Sequence, residues 1–323
     1  MNLDFLKSVG MDFYKCEDFY VKNIKLRKGE DSKIWIHKDT GHGILEEEKW
    51  EKEDYYSKAY RSEFSGNASG KKIESEKHLK MYENLNRKQF EQFRSKINRK
   101  TSFLEVGGSF GGIVRKVSQV KPEICHVIEP NIEDANFLKE RHPEIEVFNS
   151  MLEDADLHEN FYDVAVSFEV LEHVPNPKRF LEKIRKSLKS NGYIHLEVPN
   201  HNDVLLSCYD ENIRYNKFFY HKAHIHYFTE KSLQDLLSNT GFEGEVSSFL
   251  MYPFFNHVHW RLNKGPQTSG TSALDLPVPT RNRSNTEKEI NKFYKFVEDE
   301  YEKLVNKHMV GDCLIYRGVK SND

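Results

Sequence analysis

From residue 100 onward, short apolar runs alternate with segments whose apolar residues recur at helical spacing. The apolar runs are SFLEV, ICHVIEP, IEVFNS, YDVAVSF and YIHLEVPN. The clearest helix follows the fourth run, where Asn176 is a predicted N-cap and Pro177 lies in the first turn. Such an alternation is typical of βαβ units, so it predicts an α/β fold with a mainly parallel sheet.

The rest of the chain divides into three further parts. Residues 1–45 contain two short predicted strands, IKLRKG and KIWIH, with a turn at Gly41 and Gly43, and residues 46–99 are charged and helical. Late strands are predicted at EVSSFLMY and DCLIYRGVK. The pattern therefore predicts a cap or lid region over 1–99 and a main domain over 100–323, with an insertion at about 252–308.

The predicted insertion has its own pattern. His257 and His259 alternate on one side of a predicted strand, and residues 264–280 are rich in Pro, Gly, Ser and Thr, which predicts a loop. A helix is predicted to begin at Thr286, with Glu289 completing a capping box three residues later.

Composition limits the classes of partner. The chain has 323 residues, a net charge of -3 and a pI near 6.6, so its overall charge gives no reason to expect nucleic acid or an anionic membrane. No apolar run approaches the roughly 18 residues of a membrane span, and the N-terminus lacks a secretory apolar region. The four cysteines are scattered, without a CxxC pair, which is typical of reduced thiols. We therefore expect a cytoplasmic protein.

A glycine-rich turn is the strongest local signal. In FLEVGGSFGG, residues 103–112, a predicted strand is followed by four glycines, which let a ligand approach the main chain. Glu129 ends the next strand 22 residues after Gly107, close to the spacing at which an acid binds ribose hydroxyls. A tight turn without a ligand and a solvated strand-end acid are the alternatives. Ser109 and Glu105 argue against a dinucleotide-binding dehydrogenase, which would have a glycine and an apolar residue there.

Four ordered segments resemble the motifs of class I S-adenosylmethionine (SAM) methyltransferases. They are ExGxxxG from Glu105, IEP with Glu129, DVAVSFEVLEHV and LKSNGYIHLEVPN. The likeness covers about residues 100–250 and departs from the family at Ser109, where a glycine is usual. HIHYFTEKSLQDLLSNTGF is similar to the branch that methylates small molecules, including quinone precursors and surface sugars. The resemblance implies a Rossmann-like, doubly wound, seven-stranded, mostly parallel sheet with an N-terminal α+β cap.

The resemblance also implies contacts to SAM. The glycine turn would lie against the methionyl end, which Glu105 would orient, and Glu129 would accept hydrogen bonds from the ribose hydroxyls. Met151 and Leu152 would pack on the adenine. The complete implied set is Glu105, Gly107, Gly108, Ser109, Gly111, Glu129, Pro130, Met151, Leu152, Phe168 and Glu169.

Methyl transfer to a hydroxyl needs a group that takes the hydroxyl proton, and histidine is suited to this role. The candidates are His173, His224 and His226. Structural roles, in fixing a turn or in a polar layer at the sheet edge, are the alternatives. The HxxHxH spacing from His221 also suggests a metal site. We expect no metal there, because no cysteine and only an unplaced carboxylate lie nearby.

The expected acceptor is a small polar molecule, namely a hydroxyl of a sugar or sugar-containing intermediate. A quinone or phenolic acceptor, a protein side chain and a non-catalytic SAM-binding scaffold are the alternatives. Tyr56, Tyr60 and Arg61 are expected either in a lid over the cofactor or in a packing helix. The first 45 residues are expected to form a β-rich cap or a contact between the copies of a homodimer.

Overall fold

The strands of the protein form two sheets. The computed structural model describes residues 2–27, 29–46, 75–209, 214–267, 274 and 281–321. Within these residues the strands are β1 (Phe19–Lys25), β2 (Asp31–His37), β3 (Gly43–Leu45), β4 (Ser102–Val106), β5 (Ile124–Ile128), β6 (Glu146–Phe148), β7 (Tyr162–Phe168), β8 (Leu188–Pro199), β9 (His226–Tyr227), β10 (Phe242–Phe249) and β11 (Cys313–Lys320).

Helices lie between most of the strands. They are α1 (Leu3–Ser8), α2 (Ser75–Met81), α3 (Glu83–Glu91), α4 (Val114–Ser118), α5 (Ile132–Arg141), α6 (Pro177–Ser187), α7 (Val204–Ser207), α8 (Asn216–Phe219), α9 (Glu230–Asn239), α10 (Phe254–Asn263) and α11 (Asn285–Lys307). Short polar side chains begin several of them: the Asn176 side chain accepts a hydrogen bond from the backbone N–H of Arg179, as its N-cap position predicts. No helix of the described residues is both long enough and apolar enough to cross a membrane.

The larger sheet has the strand order β10-β11-β8-β7-β4-β5-β6. Strands β8, β7, β4, β5 and β6 are parallel, and β11 runs antiparallel to both of its neighbours. This arrangement confirms the predicted fold class. Because the parallel strands end at one edge, the glycine turn after β4, Glu129 after β5 and Glu169 after β7 come together there.

The apolar sequence of the central strands is explained by burial on both faces. All five residues of β4 are buried, as expected for a parallel strand covered by helices on both sides. One covering layer is the apolar face of α6, where Phe180, Leu181 and Ile184 are at most 2% exposed. The sheet edge that carries the polar strand ends is therefore held by a packed core.

A smaller antiparallel sheet has the order β1-β2-β3-β9. Its last strand comes from the segment after β8, and it pairs Tyr227 with Gly43 and His226 with Ile44. A buried contact of 3.2 Å between His42 Nε2 and His226 Nδ1 lies beside this pairing. The second predicted strand, KIWIH, lies within β2, whereas the first, IKLRKG, overlaps β1 only at Ile24 and Lys25. The sheet is completed by residues from the predicted main domain.

Three further local predictions were wrong. Helix α11 begins at Asn285, one residue before the predicted start, since the side chain of Ser284 caps it and Glu287 completes the capping box. His257 and His259 lie in helix α10, not in a strand, because Pro253 occupies the N-cap and starts a helical turn. Gly43 is part of β3 instead of a turn.

Two other predictions concern segments that the structure does not describe. Most of the predicted 264–280 loop, namely 268–273 and 275–280, lies outside the described residues. The predicted lid residues Tyr56, Tyr60 and Arg61 also lie outside them.

Candidate active site

A cavity of about 260 Å³ opens at the C-terminal edge of β4, β5 and β7. Nine of the predicted site residues line it: Gly107, Ser109, Glu129, Pro130, Met151, Leu152, Phe168, Glu169 and His173. Five others, Glu105, Gly108, Gly111, His224 and His226, do not. The described structure thus brings together residues from four separate sequence segments.

The glycine turn after β4 depends on close packing. Gly107 has a φ of 88°, and a Cβ at this position would lie 2.3 Å from Val170 Cγ2. At Gly111, with a φ of 83°, a Cβ would lie 2.5 Å from Leu138 Cδ2. Only glycine combines this conformation with this proximity. Gly107 therefore belongs to the cavity wall, whereas Gly111 lets the turn pack on helix α5.

Ser109 occupies the position at which the resemblance to class I methyltransferases implies a glycine. Its φ is 48°, in the left-handed region that non-glycine residues adopt at an energetic disadvantage. Its backbone N–H donates a hydrogen bond of 2.6 Å to Glu129 Oε2. The serine therefore keeps the turn, and the turn contacts the acid of the next strand through its main chain.

Glu129 is fixed on the cavity wall by two backbone donors. Its Oε1 accepts from the N–H of Asn131 at 2.8 Å, and its Oε2 accepts from Ser109. The side chain lines the cavity although the residue is only 5% exposed. A carboxylate offers about four lone-pair sites. The two backbone bonds thus orient an acceptor group that is compatible with ribose hydroxyls.

Glu105 does not line the cavity, although the resemblance implies that it contacts SAM. It is 3% exposed in β4, and its carboxyl accepts a hydrogen bond from the backbone of Val114. Burial, and to a smaller extent the charge of Glu129, raises the pKa of Glu105 well above its usual range. Its expected role in orienting the methionyl end of SAM stays a prediction.

A carboxylate and two imidazoles meet beside the cavity, and His173 is the member of this cluster that lines it. Glu172 Oε1 lies 3.5 Å from His173 Nε2 and 3.8 Å from His224 Nε2. His173 Nδ1 lies 2.8 Å from the carbonyl oxygen of Ala223. A carbonyl can only accept, so His173 carries a proton on Nδ1 and its Nε2 faces Glu172. Burial, together with the charge of Glu197, raises the pKa of Glu172 to about 8.

His226 belongs to a different network. Its Nε2 lies 3.3 Å from the carbonyl oxygen of Pro175, and its Nδ1 contacts His42. Nε2 thus joins the small sheet to the segment after β7, whereas Nδ1 makes a contact within the small sheet. The expected role of His226 as a base stays a prediction, and it is not part of the function proposed below.

A second acidic group beneath the cavity was not recognised from the sequence. Ligand-type atoms of Glu169, Glu197 and Cys313 lie within 4.8 Å of one another, and Gln89 Nε2 donates to Glu197 Oε1 at 2.6 Å. Burial raises the pKa values of both acids well above their usual range. The available signal was the acid in YIHLEV, because a charged residue inside an otherwise apolar strand is unusual.

The comparison with known families identifies the family to which the chain belongs. The family model described as "Methyltransferase domain" matches residues 78–246. The chain belongs to this methyltransferase family. The match contains the glycine turn, Glu129 and the Glu172 cluster. At the level of the family, the predicted enzyme class and the SAM cofactor are confirmed.

Individual relatives are similar over shorter segments. The ubiquinone biosynthesis O-methyltransferase of Rickettsia conorii is 30% identical over 115 residues, which are 35% of this chain and 39% of that protein. The enzyme of the same name from Shewanella pealeana is 28% identical over 112 residues, 35% of this chain and 42% of that protein. The chain thus spans less than half the length of these relatives.

A solved structure gives a similarly distant match. The SAM-dependent methyltransferase from Archaeoglobus fulgidus aligns over 74% of this chain and 94% of its own. The sequence identity is 16% and the TM-score is 0.48. This likeness does not by itself establish a shared function, and the assignment of the fold depends on the strand order described above.

Proposed function

We propose that this protein transfers the methyl group of SAM to a hydroxyl group of a small acceptor. The observation that carries the proposal is that one cavity is lined by Glu129 and His173. The carboxylate of Glu129 offers fixed hydrogen-bond acceptor atoms for a ribose, and His173 lies beside the buried acid Glu172. A cofactor and a protonated acceptor can therefore meet in the same cavity.

The described residues fit the cofactor. Glu129 would accept hydrogen bonds from the ribose hydroxyls, and these are stronger than neutral hydrogen bonds because the acceptor is charged. Met151 and Leu152 offer apolar surface for the adenine, and the main chain at Gly107 lies along the wall where the methionyl end would bind. When bound, SAM supplies an activated methyl group on a positively charged sulfur.

The chain itself contributes approach geometry, exclusion of water and a destination for a proton. Holding two reactants in line can contribute about 7–11 kcal/mol to lowering the barrier. The hydroxyl proton would pass to the cluster of Glu172, His173 and His224. General-base assistance of this kind is typically worth about 10²–10⁴ in rate.

For the acceptor we propose a phenolic or quinone-precursor hydroxyl. Besides His173, the cavity wall includes the apolar residues Val170, Val174 and Phe180. Apolar side chains suit the faces of an aromatic ring better than the hydroxyl-covered surface of a sugar. The names of the two ubiquinone-pathway relatives point in the same direction. The sugar acceptor expected from the sequence gains no support from the comparisons.

The test is an activity assay with labelled SAM against two matched panels, catechols and phenols on one side and nucleotide-sugars on the other. We expect S-adenosylhomocysteine to form only with the first panel, with one product heavier by a methyl group. Transfer confined to the sugars would overturn the phenolic acceptor. Failure of the folded protein to bind S-adenosylhomocysteine would overturn the function itself.

A further inference from the structure

The carboxylate of Glu172 is buried, and no other residue of the described part of the chain donates a hydrogen bond to it. The residue is 1% exposed. No Lys or Arg of those residues forms an ion pair with it; its only ion-pair contacts are the two histidines. Buried carboxylates of folded proteins are paired, protonated or bound to a cation.

The neighbouring imidazoles are oriented toward this carboxylate. Because the Ala223 carbonyl fixes the proton of His173 on Nδ1, the lone pair of Nε2 points at Glu172 Oε1 from 3.5 Å. Two acceptor atoms thus face each other across a gap, which requires a proton or a cation between them. A backbone carbonyl on the outer nitrogen is the usual support of a metal-binding histidine.

The distances agree with a metal-binding site. A divalent ion bound at about 2.1 Å to each ligand holds tetrahedral ligand atoms about 3.4 Å apart. The observed separations from Glu172 Oε1 are 3.5 Å to His173 and 3.8 Å to His224, and all three ligand atoms lie within 4.8 Å of one another. A small inward rotation of the side chains would bring them to bonding distance.

We propose that Glu172, His173 and His224 bind a divalent first-row transition-metal ion. A carboxylate with two imidazoles suits Mn²⁺, Fe²⁺, Co²⁺ or Zn²⁺ better than Mg²⁺, which prefers oxygen ligands. The proposed site departs from the expectation of no metal, because the sequence does not indicate that the carboxylate of Glu172 lies beside two imidazoles. The spacing of His221, His224 and His226 suggested a site in one segment, whereas the described ligands come from two.

The backbone holds the two ligand segments together. Glu172 and His173 lie in the turn Leu171–His173 after β7, and His224 lies in the segment that leads to β9. The N–H of Ile225 donates to the carbonyl of Glu172 at 2.8 Å, and Ala223 accepts from the His173 ring. The ligands are therefore positioned by main-chain bonds on both sides.

The location gives the ion a role that rests on the proposed function. His173 lines the cavity, so coordination positions not filled by protein face the acceptor end. An ion there would bind the acceptor oxygen and lower the pKa of its hydroxyl, as metal ions do for bound water. The three residues would then act as ligands, and the proton of the hydroxyl would pass to solvent water instead of to a free histidine base.

The experiment titrates Co²⁺ into EDTA-treated, dialysed protein, followed by calorimetry and by the visible absorption of bound Co²⁺. We expect one equivalent to bind to the wild type, with affinity reduced at least roughly 100-fold in Glu172→Gln and in His224→Gln. The matched control is His142→Gln, which removes a histidine 3.3 Å from Glu144 outside the cavity and should bind Co²⁺ as the wild type does. Thermal melting and S-adenosylhomocysteine binding report whether each variant is folded.

Two results would overturn the inference: no stoichiometric Co²⁺ binding to folded wild type, or unchanged binding in both folded ligand variants. If EDTA-treated protein binds S-adenosylhomocysteine and methylates its acceptor at the full rate, the role of the ion in the reaction is wrong while the proposed function stands. If S-adenosylhomocysteine does not bind with or without Co²⁺, the proposed function is wrong.

Discussion

Replacing Glu129 tests the cofactor site most directly. In Glu129→Ala, two hydrogen bonds from the ribose hydroxyls to a charged acceptor would be lost, each worth about 1.5–3 kcal/mol. Their combined loss of about 3 kcal/mol or more corresponds to a Kd for S-adenosylhomocysteine at least ~100-fold weaker. Glu129→Gln should also bind poorly, because its amide N–H₂ would meet one of the two backbone N–H groups that now donate to the carboxylate.

The assay combines calorimetry with thermal melting. At a ligand concentration of 100 times the wild-type Kd, S-adenosylhomocysteine should stabilise the wild type by about 2.7 kcal/mol. A variant weakened 100-fold should gain only about 0.4 kcal/mol at the same concentration. Glu140→Ala, which removes an exposed acid from helix α5, the helix that follows Glu129 in the chain, is the matched control and should behave as the wild type does.

The reasoning would be refuted by a folded Glu129→Ala that binds S-adenosylhomocysteine within about threefold of the wild-type Kd. The bonds to Ser109 and Asn131 would then be the whole role of the side chain. The ligand-free variant should itself be less stable, since two backbone N–H groups lose their acceptor. Its melting temperature without ligand must therefore be measured separately.

Two further predictions concern stability. Ser109→Gly should raise the free energy of unfolding by up to ~1 kcal/mol, because glycine tolerates the φ of 48°. It should keep S-adenosylhomocysteine binding, because the hydrogen bond to Glu129 comes from the main chain. A lower free energy of unfolding in urea would contradict the inference that the backbone of Ser109 is strained. His195 is buried between Phe93 and Phe168, neither ring nitrogen has a partner among the described residues, and burial lowers its pKa to about 3. The unfolded state therefore binds a proton below pH 6.5 that the folded state does not, so stability is lost as the pH falls from 6.5 towards 3, at about 1.4 kcal/mol per pH unit. His195→Leu should reduce the loss of unfolding free energy between pH 7.5 and pH 5 by about 2 kcal/mol; an unchanged pH dependence in urea unfolding would show that His195 is not the group responsible.

The residues of the cavity wall could be predicted because their position depends on local pattern and on one topological rule. The spacing from Gly107 to Glu129 identifies a strand-end acid, and parallel strands bring such ends to the same edge. The boundaries of α11 were less certain from sequence, since both Ser284 and Thr286 are followed three residues later by a glutamate. The local sequence contains two equivalent capping signals, and tertiary packing selects one.

The acid and histidine clusters could not be assembled from the sequence, because their members are brought together by contacts between distant segments. Glu172 and His224 are 52 positions apart, and their proximity depends on the bond from Ile225 to the Glu172 carbonyl. The pairing of β3 with β9 could not be predicted either, because a strand of two residues is too short to show an alternation of apolar and polar residues. These contacts also decide which histidine lines the cavity and which one joins the sheets.

The pairing of β3 with β9 has a consequence for the order of events during synthesis. Ile44 leaves the ribosome early, but its partner His226 follows only after about 180 further residues. At roughly 5–20 residues per second, the open edge of β3 waits about 10–40 s for its partner. The open edge of β3 is therefore an exposed template for pairing during translation, and the segment that carries His224 is fixed only when this edge is closed. A chain interrupted before residue 226 would retain the glycine turn and Glu129 and still present that edge to other chains.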